Sequence, residues 1–81
     1  MKNKNKLYES LEIDFENGAG IIDSLKRINN VPKKDWVKVL NGFKRWELSE
    51  LGENMEWDRD EMEEVDVKFI EKNKIKWNWM E

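Results

Sequence analysis

The chain is 81 residues long, carries a net charge of −3 and contains neither cysteine nor histidine. A chain of this length builds one small core, so the sequence implies a single domain over residues 1–81. Disulfides and thiolate metal sites are excluded, and the commonest general base and zinc ligand are missing. Carboxylates, lysines and the single tyrosine, Tyr8, remain for chemistry. They would need a concave pocket with shifted pKa values, for which a core this small has little room. The composition therefore points to binding rather than catalysis, with no cofactor and no metal.

The N-terminal MKNKNKLYESLE is basic but is followed by no apolar run, so it does not read as a signal peptide. No apolar stretch nears the roughly 20 residues of a membrane span, and the expected location is the cytoplasm, away from any membrane. Residues 1–8 show no apolar pattern and are the stretch most open to disorder. Ala19 is the only alanine amid abundant lysine and asparagine. That bias belongs to AT-rich coding sequence and hints at a low-GC bacterium, its phage or a plasmid.

Leu11, Ile13 and Phe15 alternate with Glu12 and Asp14, the period of a half-buried strand. Asn17-Gly18 and Gly20 then turn the chain. Ile21, Ile22, Leu25 and Ile28 share one face of a short helix from Ile21 to about Asn29, ended by Asn29-Asn30 and Pro32. In the central segment, Asn41-Gly42 is a hairpin signal. On a helical wheel, however, Trp36, Val37, Val39, Leu40, Phe43, Trp46, Leu48 and Leu51 fall within an arc of about 200°. A hairpin would set Lys38 beside Arg45, so the sequence favours a helix over 36–51 with Asp35 as N-cap and Gly52 at its end. On that helix, Gly42→Ala is expected to stabilise by about 0.5–1 kcal/mol.

Toward the C-terminus, Val65, Val67 and Phe69 alternate on one face, and Ile75, Trp77 and Trp79 on another. A three-residue loop, Lys72-Asn73-Lys74, would bring these faces together, pairing Phe69 with Trp77 and Val67 with Trp79. The expected fold is therefore α+β: a three-stranded antiparallel sheet in β-α-α-β-β order, with helices packed on one face.

Charge is zoned along the chain. Residues 24–46 are strongly basic, and residues 47–66 hold Arg59 as their only base among ten acids. The acidic run reads either as a solvated face or as a docking surface. Asp58, Asp60 and Glu63 or Glu64 offer oxygen ligands, but the glycine and terminal glutamate of an EF-hand loop are absent. Trp57 stands alone inside the acidic run, as an interface hot spot or as a lid over the core. The basic stretch from Lys26 to Arg45, with Trp36 and Phe43 interleaved, is the alternative surface, and it would suit nucleic acid. Against direct nucleic-acid binding stands a pI near 5.1.

The sequence thus points to an inhibitor or adaptor that docks on a protein with a basic surface, such as a nucleic-acid enzyme. The expected contact residues are Trp57, Asp58, Asp60, Glu61, Glu63 and Glu64. Small acidic inhibitors of host defence, including anti-CRISPR proteins, offer an analogy of class with no residue match. A nucleic-acid module and a structural subunit that oligomerises through exposed aromatics are the alternatives, and the oligomeric state is open.

Overall fold

Leu7, Leu11 and Phe15 recur every fourth residue, and the chain takes the helix that this spacing fits, α1, over Asn3–Glu16. The computed structural model describes residues 3–80. Leu11 and Phe15 are buried, whereas Ile13 is 56% exposed. The strand expected over Leu11–Phe15 is therefore overturned. Residues four apart satisfy both periods, and Ile13, which a strand needed inside, faces solvent. Gly18 closes α1 at φ 92°. Its N–H donates to the Phe15 carbonyl at 3.0 Å, and the Ala19 N–H donates to that of Asp14 at 2.9 Å. These are the two bonds of a Schellman ending, which favours glycine at the left-handed position.

The helix expected from Ile21 to about Asn29 is present. Ile21–Asp23 form α2, which widens into a π turn over Ser24–Ile28 and buries Ile21 and Leu25. A polar cluster fastens it to α1. Asp14 accepts from the Ser24 hydroxyl at 2.8 Å and the Asn29 amide at 2.9 Å, while Ser10 donates to Asn29 at 2.7 Å.

The central segment is helical, as its apolar arc requires. A 3₁₀ turn over Lys33–Asp35 leads into α3, Trp36–Trp46, and a π turn over Glu47–Leu51 prolongs it. Gly52 ends the run at φ 68°. Asp35 occupies the cap position, but its side chain makes no capping bond. Leu40, Phe43 and Trp46 face the core, and the Trp36 indole donates to the Val31 carbonyl at 2.9 Å.

Gly42 departs from expectation. A Cβ built there would overlap the Tyr8 hydroxyl and lie 3.0 Å from its Cζ. Tyr8 is a rigid ring on α1, 5.8 Å from the Trp46 ring and 6.4 Å from Phe43. Glycine is present to let α1 and α3 approach, so helix propensity does not set the sign of a substitution.

The C-terminal hairpin is also overturned. Val65–Phe69 lie in α4, Glu64–Lys72. Asp66, Val67 and Ile70 form its buried face, Val65 is 55% exposed, and Phe69 packs edge-on against Trp36 at 5.8 Å. The expected loop is the end of this helix. Lys74 sits at φ 55°, with its N–H donating to Glu71 at 3.2 Å and that of Ile75 to Ile70 at 3.1 Å. This is a second Schellman ending, with lysine in the usual place of glycine and buried Ile70 and Ile75 at its apolar positions. Beyond it, Ile75 and Trp77 are buried and Lys76 is exposed, so the alternation persists in an extended tail.

Among the described residues there is no sheet, only an isolated parallel bridge between Trp57 and Trp79. The α+β architecture is replaced by a small helical domain whose core lies among α1, α2 and α3, closed by α4 and the tail. No described helix is long and apolar enough to cross a membrane. Gly42→Ala should destabilise the protein by about 1–3 kcal/mol in denaturant unfolding, the usual cost of overpacking. Adding Tyr8→Phe, which removes the overlapped hydroxyl, should recover part of that loss.

Candidate protein-binding surface

The acidic run is held in place by two of its own carboxylates. Glu47 is 1% exposed. One of its oxygens accepts from Lys44 Nζ at 2.9 Å, and the other accepts from the Met55 N–H at 3.0 Å. Lys44, itself buried, also donates to Asn54 Oδ1 at 3.1 Å, and its ammonium lies 5.0 Å from the centre of the Trp77 ring. A buried charge must be paired and hydrogen-bonded, so this network fixes where the chain goes after α3.

The tail takes over from there. The Trp57 N–H donates to the Asn78 carbonyl at 2.9 Å, and the Met80 N–H donates to the Trp57 carbonyl at 2.7 Å. The Asn78 amide donates to the Asn54 carbonyl at 2.8 Å. Arg59 pairs with Glu71 and places its guanidinium over the Trp79 ring. Asp58 caps the following 3₁₀ turn, Arg59–Glu61, by accepting from the Asp60 N–H at 3.0 Å.

Asp66 closes the far side. It is 3% exposed, and its two oxygens accept from the N–H groups of Ile21 at 3.0 Å and Ile22 at 3.1 Å. Gly20 precedes α2 without a capping side chain, so a carboxylate 45 residues away caps that helix instead. A Cβ at Gly20 would lie 2.9 Å from Asp66 Oδ2, which reserves the position for glycine.

Between residues 18–27 and 55–66 lies an open cleft of about 710 Å³. Ile22, Trp57, Met62 and Val65 give it an apolar lining. Glu56, Asp58, Glu61 and Glu63 stand around that lining. On the α2 side the cleft is lined by Asp23, held by Arg27 at 2.8 Å, and by the exposed Lys26, so acids outnumber bases in it. Hydrogen bonding to Arg27 lowers the Asp23 pKa from its ordinary value, which keeps this exposed pair ionised.

Of the six residues expected to bind a partner, Trp57, Asp58, Glu61 and Glu63 line this cleft, whereas Asp60 and Glu64 do not. Asp60, Glu61, Glu63 and Glu64 are exposed, and Glu64 approaches Lys68 at 3.6 Å. Trp57 is half-buried, with its ring 5.2 Å from both Phe15 and Trp77. It covers the core from one side and lines the cleft from the other, combining the two roles that the sequence held apart. Glu47 and Asp66 had been grouped with the solvated acids. The sign that they were not is their helical spacing from buried apolar residues, Leu40 and Phe43 for Glu47 and Ile70 for Asp66. Lys44, counted in the basic stretch, is neutralised in the interior.

Among the described residues, no group of three or more carboxylates is arranged to hold a metal ion. No family model, no curated protein and no solved structure matches this chain. The analogy with phage-borne and anti-CRISPR inhibitors therefore has no support and is set aside.

Glu47→Ala should cost about 3–5 kcal/mol, because it leaves the Lys44 ammonium buried and unpaired. The double variant Lys44→Met, Glu47→Leu should recover most of this in urea unfolding. At the edge of the same network, burial and the neighbouring Glu16, Glu53 and Glu47 raise the Glu12 pKa above the ordinary glutamate value. An acid raised in the folded state binds its proton more tightly there than in the unfolded chain. Its contribution to stability therefore falls as pH rises through the glutamate range. Glu12→Gln should raise the melting temperature at neutral pH and flatten its dependence on pH across the weakly acidic range.

Proposed function

We propose that this chain is a binding protein whose acidic surface, from Trp57 to Glu64, docks on a protein with a basic surface, such as a nucleic-acid enzyme, to block or recruit it. The observation that carries this reading is the cleft beside α2. Glu56, Glu61 and Glu63 stand exposed around an apolar lining there, and none of them forms an ion pair among the described residues.

Such a site suits the side chains of lysine and arginine. Their aliphatic stems can lie along Ile22, Met62 and Val65 while their charged heads reach the carboxylates. The field of the acidic run adds long-range attraction, which accelerates encounter with a positive partner. The backbone that presents these groups is fixed by Glu47, Asp66 and the tail, so little ordering is required on binding.

Affinity capture, with the protein as bait and its charge-reversed form Glu56→Lys, Glu61→Lys, Glu63→Lys as control, tests the proposal. All three residues are exposed, so the melting temperature should change little. A partner captured by the native chain should associate with the variant at least about tenfold more slowly, and raised salt should have the same effect on the native chain. A partner held equally well by both forms would overturn the proposal. Trp57→Ala is the weaker probe, because losing its contacts with Phe15 and Trp77 should itself destabilise the fold by about 2 kcal/mol or more.

A further inference from the structure

Unpaired positive charge gathers in a second groove, of about 540 Å³, where α3 and its π turn meet the C-terminal tail. Arg45, Lys74 and Lys76 line it, all three exposed, and no described carboxylate does. None of the three forms an ion pair among the described residues. In a chain with more acids than bases, such a groove is a concentrated positive surface.

Its lining suits an acidic polypeptide better than a nucleic acid. Single-stranded nucleic acid binds where bases can stack on an aromatic face. The aromatic side chain here, Trp77, is 9% exposed, with the Lys44 ammonium 5.0 Å from its ring centre and Trp57 5.2 Å away. In place of a stacking platform the groove offers Leu48, an aliphatic side chain 54% exposed. Exposed cations around an aliphatic contact match carboxylates around an aliphatic contact.

This chain carries that counterpart. In the acidic cleft, Glu56, Glu61 and Glu63 are exposed and unpaired, and Val65 is 55% exposed beside them. We infer that the basic groove takes the acidic 56–65 region of a second copy, so that copies associate head to tail through Arg45, Lys74 and Lys76. The inference rests on the acidic region being a docking surface, and it adds a partner: the chain itself. Because the two surfaces differ, each copy in a pair keeps one surface free, and the pair presents one of each. Growth then continues with concentration instead of stopping at a two-fold dimer. A foreign basic partner on the acidic surface would displace the neighbouring copy.

Sedimentation velocity over a concentration series tests this with two charge-reversed forms. One carries Arg45→Glu, Lys74→Glu and Lys76→Glu; the other carries Glu56→Lys, Glu61→Lys and Glu63→Lys. The native chain should self-associate at low salt, and its dissociation constant should rise at least about tenfold at high salt, as screening shortens the reach of exposed charges. Each variant alone should be monomeric, since its two surfaces now repel. Mixing the variants should restore association, because the reversed groove of one faces the reversed cleft of the other. Should either triple variant fail to fold by circular dichroism, the single changes Arg45→Glu and Glu61→Lys serve the same cycle with smaller shifts. A native chain that stays monomeric at every concentration and salt overturns the inference, as does a mixture that fails to associate. A native monomer that binds a single-stranded oligonucleotide through the groove would assign it to nucleic acid instead. None of these failures touches capture of a foreign basic protein by the acidic cleft, which is read separately.

Discussion

The ion pair between Lys44 and Glu47 is the constraint from which the rest of the surface follows. Both groups lie in the interior one turn apart on the same helical run, where an unpaired charge would be costly. Their pairing leaves one Glu47 oxygen and two ammonium protons to satisfy. The chain answers by bending back so that Met55 donates to the oxygen and Asn54 accepts from the ammonium. The loop after α3 is thus positioned by hydrogen-bond satisfaction rather than by regular secondary structure. Trp57 arrives where it does because Met55, two residues before it, is anchored.

Asp66 does the corresponding work on the other side of the cleft. By accepting from Ile21 and Ile22 it joins the start of α2 to the first turn of α4. The sides of the cleft are the two segments it connects. Two interior carboxylates therefore hold up a surface whose exposed carboxylates are free to act, a division of labour within one acidic run. Distance along the chain did not separate the two kinds; placement on a helix face did.

Much of the helical content was legible, and the failures share one cause. α2 and α3 were readable because Ile22, Leu25 and Ile28, like Leu40, Phe43 and Trp46, recur every third residue, which fits only the helical period. α1 and α4 were misread because Leu11 and Phe15, or Val65 and Phe69, are four apart and satisfy a two-residue period equally well. Ile13 and Val65 tipped the reading toward strands, yet both face solvent. Lys74 in the left-handed region hid a helix ending that glycine would have advertised. In the site, the exposed carboxylates were legible as a charge zone. The long-range cap by Asp66 was not, since no local pattern links residue 66 to residue 21. Nor was the clash at Gly42, which depends on where Tyr8 lies across the helix pair.

The bridge between Trp57 and the tail also orders events in time. The Trp57 N–H and carbonyl are taken up by residues 78 and 80. During synthesis these emerge from the ribosome after every residue of the helical core. α1, α2 and α3 can assemble while the acidic loop is still held only at its Glu47 end. The cleft takes its final form only when residues 78–80 come to lie beside Trp57, after α1, α2 and α3 have been made.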